Sequence, residues 1–315
     1  MTRFLRLFAQ TQLMPVLESG EETTLVGGQA VLEGVMMRAP HSYCVAVRKP
    51  DGELITEEQA IPRMSEKYPI FKYPILRGLG TLGQAMTLGF RALKFSMNAA
   101  LNDGEQKEEV SSWMMTANIV FSLGFFIVMY KFVPLFLASR IASSRLGINV
   151  WDGVIRIGIF LAFLFLLSRM KDIRRVFEYH GAEHKVVFNF ESGKPVTVEN
   201  AQQFTTFHPR CGTSFLFVVF LLAIPIYTLI PFDDFATKLI FRVALMPVIA
   251  GVSYELIRFA AKRRGSFLAT LAAPGLWMQR ITTKPPSDDQ AAVAIQALEG
   301  AMKLEKSQGG QLVIA

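Results

Sequence analysis

Four long apolar runs constrain this chain more than any other feature. They are Thr116 to Ala138, Val150 to Ser168, Thr213 to Ile230 and Lys238 to Leu256. Each approaches the ~20 residues that a helix needs to cross a hydrocarbon core. A stretch such as FLFVVFLLAIPIYTLI is apolar on every side, whereas the surface helix of a soluble domain keeps a polar face. Composition agrees: 51% of the 315 residues are hydrophobic and only 19% are charged, against about 25% charged in an ordinary soluble domain. With 26 Phe and 14 Met the chain is not globally disordered. Two cysteines, Cys44 and Cys211, make no disulfide framework. The expectation is a mostly α fold: a polytopic helical membrane protein with four transmembrane helices and a small cytoplasmic α/β portion.

Charge at the helix ends orients these spans. Arg169, Lys171, Arg174 and Arg175 follow the second run, and Arg258, Lys262, Arg263 and Arg264 follow the fourth. The loop between the third and fourth runs, PFDDFAT, has no basic residue. The positive-inside rule then puts residues 169–212 and both termini in the cytoplasm. Arg140 and Arg145 oppose this and are outnumbered. Lys131, Arg156 and Arg242 near the outer helix ends are expected to snorkel. The segment MTRFLRLFAQTQLMPVLESGEE is broken by Gln10, Thr11 and Gln12, so no cleavable signal peptide is expected.

The chain divides into an N-terminal amphipathic or flexible segment (1–24), a small β-containing region (25–73) and an amphipathic helix with linker (74–112). The first pair of spans (113–170), a His/Cys loop (171–212), the second pair (213–258) and a C-terminal tail (259–315) follow. In the β-containing region, YCVAV and ELIT flank Lys49-Pro50-Asp51-Gly52, a hairpin signal. Residues 74–101 place Leu76, Leu79, Met86, Phe90, Leu93 and Met97 at helical spacing, with Arg77, Gln84, Arg91, Lys94 and Asn98 elsewhere. Two readings fit: a basic helix on the membrane surface, or one packed on the soluble part. Gly78, Gly80 and Gly83 spell G-x-G-x-x-G, but Pro74 precedes them and no βαβ unit surrounds them, so close helix packing is the better reading. In the tail, Asp288 to Met302 reads as an alanine-rich docking helix capped by Ser287 or Asp288.

Three of the four histidines fall in one cytoplasmic loop. It begins Tyr179-His180-Gly181-Ala182-Glu183-His184-Lys185 and returns as Phe207-His208-Pro209-Arg210-Cys211-Gly212. Both ends are anchored at one face of the bilayer, so the two motifs can meet. On a helix, His180 and His184 are i,i+4 and share a face, with Glu183 on or near it. Two histidines and a carboxylate are what a catalytic zinc site uses, and His-x-x-Glu-His is the inverted zincin order. If His180, His184, His208 and Cys211 all bind, the site is closed and structural, and Glu183 has no role. If three bind, the fourth position takes water and catalysis becomes possible. Glu255, near the cytoplasmic end of the fourth span, is an added candidate whose plainer reading is an i,i+3 pair with Arg258.

GGQAVLEGVMMR, HGAEHK, HPRCGTSF, SYELIRFAAK and PGLWMQRITTKPP together resemble the YqhQ-like bacterial membrane proteins, a domain-of-unknown-function family. The likeness runs from about Leu25 to Leu298. It implies a multi-pass protein of the bacterial cytoplasmic membrane, described as a predicted metal-dependent enzyme. It also brings Glu33, Arg38 and Glu255 forward as motif members.

Two functions of different kinds follow. One is a metal-dependent hydrolase at the membrane interface, acting on a lipid or membrane-anchored substrate, with a divalent metal, zinc by its donors. Glu183 would take the proton, and Arg210 or Arg38 would steady developing negative charge. The alternative is a non-enzymatic scaffold or assembly factor with a structural metal site. Transport ranks below both, because the spans carry few ionisable groups away from their ends and four helices show no inverted repeat. Membrane lipids are the expected partners, nucleic acid is not, and a homo-oligomer is compatible with the pattern.

Overall fold

Alternating small and branched residues near the start of the chain build a four-stranded antiparallel sheet. Its strands are β1 (Gly27–Val31), β2 (Gly34–Arg38), β3 (Ser42–Arg48) and β4 (Leu54–Ala60), and they pair in sequence order. The computed structural model describes residues 26–62, 64–101, 112–208, 211–262 and 273–307. The expected Lys49–Gly52 hairpin is present: the Lys49 amide donates to the Glu53 carbonyl at 2.9 Å, and Gly52 to Lys49 at 3.0 Å. A second hairpin joins β1 to β2 through Leu32 and Glu33, the latter at φ 52°.

Both faces of this sheet are covered. Side chains alternate sides along a strand, so Val35, Met37, Cys44 and Ala46 form one face and Met36, Tyr43, Val45 and Val47 the other. The first face packs on α6 (Lys171–Glu191) and α12 (Asp288–Ser307), and the second on α2 (Leu76–Leu101). A short helix α1 (Met64–Lys67) and a 3-10 turn (Pro69–Lys72) lead into α2. One side of α2 packs on the soluble part, as one of the two readings of residues 74–101 expects. Leu88, Ala92 and Ala99 are buried on the sheet, while Met86, Phe90 and Leu93 are exposed. Its glycines allow close packing at two points, since a Cβ on Gly78 would meet the Tyr254 side chain at 2.8 Å and one on Gly80 would meet Phe71 at 2.8 Å.

The apolar runs form α3 (Ser112–Ile127), a wide π turn (Val128–Phe132), α4 (Val133–Ile141), α5 (Arg145–Leu167), α8 (Gly212–Thr228), α9 (Phe235–Ala244) and α10 (Met246–Lys262). Among the described residues, two segments are long and apolar enough to cross a membrane: Thr116–Ile141, 26 residues, and Arg145–Leu167, 23 residues. The pair α9–α10 counts as a third span only if its 45° bend is included. Four full spans are therefore not what the described helices provide. The third run yields a helix of 17 residues, Gly212–Thr228, about 26 Å long at 1.5 Å per residue. The fourth run breaks at Leu245, just ahead of Pro247, whose ring and missing N–H disfavour an unbroken helix. Lys131, Arg156 and Arg242 also depart from expectation. They do not snorkel but are buried between helices with Asp152, because an inward partner replaces the solvent they would otherwise reach.

α11 (Ala273–Thr282) packs on α8, and the link from it to α12 crosses α6. A short helix α7 (Val198–Gln202) lies between α6 and α12. Ser287 caps α12 by accepting from the Gln290 amide at 3.3 Å, and the Gln290 side chain accepts from the Ser287 amide at 2.9 Å. At the far end of α12, Glu305 accepts from the His41 amide (2.8 Å), the Ser42 hydroxyl (2.9 Å) and His41 Nδ1 (2.9 Å).

Two stability predictions follow. Burial pushes the Glu305 carboxyl up, but the His41 and Ser42 bonds outweigh it and hold the carboxyl below its ordinary value. Its contribution is therefore complete above the unfolded pKa of about 4.3 and is lost as pH falls through the lower native value. Glu305→Gln is expected to cost about 1–3 kcal/mol at pH 7, with the difference from wild type shrinking below about pH 4.3, as measured by unfolding across pH. A Cβ at Gly181 would lie 2.0 Å from the Lys284 carbonyl oxygen, whereas one at Gly83 meets nothing within 4 Å. Gly181→Ala should destabilise by about 1–3 kcal/mol or more. Gly83→Ala, on an exposed helical position, should stabilise by about 0.4–1 kcal/mol; thermal unfolding of the two variants side by side checks the opposite signs.

Candidate metal centre at the histidine loop

α6 directs Tyr179, Ala182, Val186 and Val187 into the sheet core. Helical periodicity then turns His180 and His184 away from that core and onto a shared face, where their ring centroids stand 4.4 Å apart. The loop after α6 folds back over them. Lys185 Nζ donates to the carbonyls of Gln202 (2.8 Å) and Phe204 (2.7 Å), which draws residues 202–206 onto the helix. Burial lowers the Lys185 pKa from its ordinary value.

The return strand of the loop is held by α11. The Gln279 side chain accepts from the His208 amide and donates to the His208 carbonyl, both at 2.7 Å. These two hydrogen bonds fix the backbone of His208, and Cys211 stands at the N-cap of α8. Cys211 Sγ lies 3.3 Å from His180 Nε2.

Two further bonds set the chemistry of the rings. His180 Nδ1 lies 2.9 Å from the Thr282 carbonyl oxygen, and His184 Nδ1 lies 2.5 Å from that of Thr206. A carbonyl oxygen only accepts, so each Nδ1 carries a proton and donates. In the neutral ring each Nε2 then has a lone pair to offer. Burial lowers the His184 pKa, and the neighbouring His180 and His208 lower it further against an opposing contribution from Cys211. Burial likewise lowers that of His208. Both therefore favour the neutral form that a ligand requires.

His180, His184 and Cys211 each offer one ligand atom, and these three atoms lie within 4.8 Å of one another. A tetrahedral ion with Zn–N near 2.0–2.1 Å and Zn–S near 2.3 Å sets its ligands roughly 3.3–3.6 Å apart. The donor set fits with small adjustments of the side chains. Glu183 is adjacent: its Oε2 lies 3.4 Å from His184 Nε2, and its side chain is buried. Gly28 of β1 leaves it room, since a Cβ there would stand 2.6 Å from Glu183 Cγ. His208 is next to the trio, with its ring 5.4 Å from that of His184, and its Nε2 faces Glu191 at 3.9 Å.

The other candidates lie elsewhere or outside the described residues. Glu33 accepts two bonds from Arg175, each 2.5 Å, and one from the Tyr179 hydroxyl at 3.3 Å, tying the β1–β2 turn to α6. Arg38 donates to Gln84 Oε1 at 2.5 Å. Glu255 pairs with Arg77 of α2, Nε to Oε1 at 2.6 Å, and Arg258 of its own helix also acts on it electrostatically. Arg210 lies outside the described residues. Sequence reasoning passed over Gln279, Thr282, Thr206 and Lys185. Only Gln279 left a signal, an amide directly after the apolar stretch PGLWM.

Residues 73–304 match a family described as a protein of unknown function, DUF1385. The uncharacterized protein YqhQ of Bacillus subtilis (strain 168) is 34% identical over 294 residues, covering 89% of this chain and 92% of that protein. No solved structure matches. Neither description names an activity, so the enzymatic part of the earlier resemblance gains nothing from them. The family match takes in α6, the His/Cys loop and α11 in one continuous stretch, and the chain belongs to the DUF1385 family.

Proposed function

We propose that this chain is a membrane-embedded metal-dependent hydrolase. Its site faces the cytoplasm, and its substrate is a lipid or a membrane-anchored molecule. One observation carries the reading: both Nδ1 atoms are committed to backbone carbonyls, which leaves both Nε2 atoms to serve as ligands beside the Cys211 thiol. A site with three protein ligands keeps a position open, as catalytic zinc sites do. Zinc suits two imidazoles and a thiolate better than a hard cation would.

Each residue then has a distinct task. Thr282 and Thr206 orient the imidazoles, and Gln279 sets the position of the His208 backbone. The Cys211 thiol gives up its proton when it becomes a ligand. Glu183 Oε2, beside the donor atoms, accepts a proton from the attacking water and returns it to the leaving group. A bound divalent ion supplies Lewis acidity to the substrate oxygen and acidifies water. The membrane part of the reading is supported by the 26- and 23-residue apolar segments, whose surfaces are mostly exposed. The basic cluster from Arg169 to Arg175, between α5 and the site, favours a cytoplasmic site and cytoplasmic termini.

A second reading, a scaffold with a structural metal, is favoured by the closeness of His208. A ring 5.4 Å from His184 could swing in as the fourth ligand and close the site.

Metal content of the detergent-purified protein, measured by mass spectrometry, separates these outcomes. Wild type should carry about one zinc per chain, and His184→Ala should lose most of it. Glu183→Gln should keep the metal and lose hydrolysis by about 100-fold or more. His208→Ala should retain the metal if three ligands suffice, whereas its loss would favour the closed structural site. Absence of metal even after reconstitution would sink both readings.

A further inference from the structure

In the half of α5 remote from the histidines, about 16 Å or more along the helix from Leu167, the apolar bundle contains an excess of positive charge. Lys131, Arg156 and Arg242 are at most 7% exposed, and all three stand over the ring of Tyr227, at 5.2, 5.4 and 4.8 Å from its centroid. Among the described residues, Asp152 is the carboxylate that pairs with them: with Arg156 and, at 2.7 Å, with Arg242. Neutral groups satisfy part of the remainder. Lys131 donates to the Tyr227 hydroxyl at 2.7 Å, Arg156 to the Tyr130 carbonyl at 3.1 Å, and Arg242 to Asn149. Arg242 Nε, however, is buried without a hydrogen-bond partner.

The same arginine lines a small pocket open to the surface, together with Arg145, Asn149, Tyr227 and Lys238. Asp233, with its side chain 78% exposed, stands at that mouth, 3.1 Å from Arg145 and 3.8 Å from Lys238. An ion pair so exposed is weak, so a stronger anion can displace it. Burying unbalanced charge is costly unless a counter-charge arrives, and guanidinium groups favour phosphate oxygens. Asp234 does not serve, because its carboxylate caps α9 through the Thr237 amide.

We infer that this pocket binds a phosphate oxyanion, with Arg145 and Lys238 gripping it at the mouth and Arg242 beneath. The inference is independent of the histidine site. Two sources share this chemistry, an anionic phospholipid headgroup and free phosphate; the lipid source rests on the membrane reading above.

The test uses the full chain in detergent, incubated with phosphatidylglycerol, with a neutral diacylglycerol as control, or with sodium phosphate alone. Native mass spectrometry counts retained lipid and thermal unfolding reports stabilisation. Retention of one phosphatidylglycerol with no response to phosphate assigns a lipid; stabilisation by sodium phosphate assigns the free anion. Lys238→Gln and Arg145→Gln, which alter only the mouth, should each weaken binding by about fivefold. Asp233→Asn should strengthen it, a change of sign that a merely structural carboxylate would not give. Binding no better than to the diacylglycerol, or binding indifferent to all three variants, overturns the inference. A chain that stays in solution without detergent yet still takes up phosphate would refute the membrane reading and leave the pocket standing.

Discussion

The double commitment of α6 is the constraint on which the remaining architecture depends. From Gly181 to Asn189 the helix is buried without interruption, because the sheet and α12 occupy one side and the His/Cys loop with α11 the other. A helix packed on two sides cannot rotate or slide without breaking one interface. Its histidines are therefore positioned by the hydrophobic core rather than by their own contacts. Gly181 marks the tightest point, where the chain after α11 passes directly over the helix. The Nδ1 bonds then fix the orientation of two rings whose positions are already determined.

The two polar clusters of this chain meet burial in different ways. Around His180 and His184 the cost of burying polar groups is offset by backbone carbonyls and by neutrality, since the surroundings lower the pKa of His184 and burial that of His208. Around Arg242 and Arg156 the charge stays, and the helices converge on Asp152 and Tyr227 to accommodate it. The π turn at Val128–Phe132 contributes: its wide spacing carries Tyr130 and Lys131 inward and leaves the Tyr130 carbonyl accessible to Arg156. Neutral ligands suit the metal centre proposed at the histidines, and surplus cations suit the anion site inferred at Arg242.

Much of the local structure was legible in the residues. The Lys49–Gly52 turn, the helix over 76–101, the Ser287 cap and the i,i+4 pairing of His180 with His184 all follow from short-range chemistry. The approach of Cys211 to His180 was accessible by a coarser argument, that the loop begins and ends at one face of the apolar helices. Other features were hidden because their cause is distant in sequence. Glu255 meets Arg77, 178 positions away, and Gln279 reaches His208 across 71. The charges at 131, 156 and 242 carried no sign of whether they would turn toward lipid or toward one another.

By itself the sequence determined that apolar helices would dominate, that a hairpin-bearing sheet would precede them, and that one loop would concentrate imidazole and thiol donors. Periodicity and turn chemistry act within a few residues, so they survive without knowledge of the fold. Tertiary structure alone decided which donors converge, which nitrogen of each imidazole carries the proton, and how many helices are long enough to span. Those outcomes depend on carbonyls, bends and counter-charges supplied by segments tens or hundreds of residues away, and only packing brings such groups within hydrogen-bond distance.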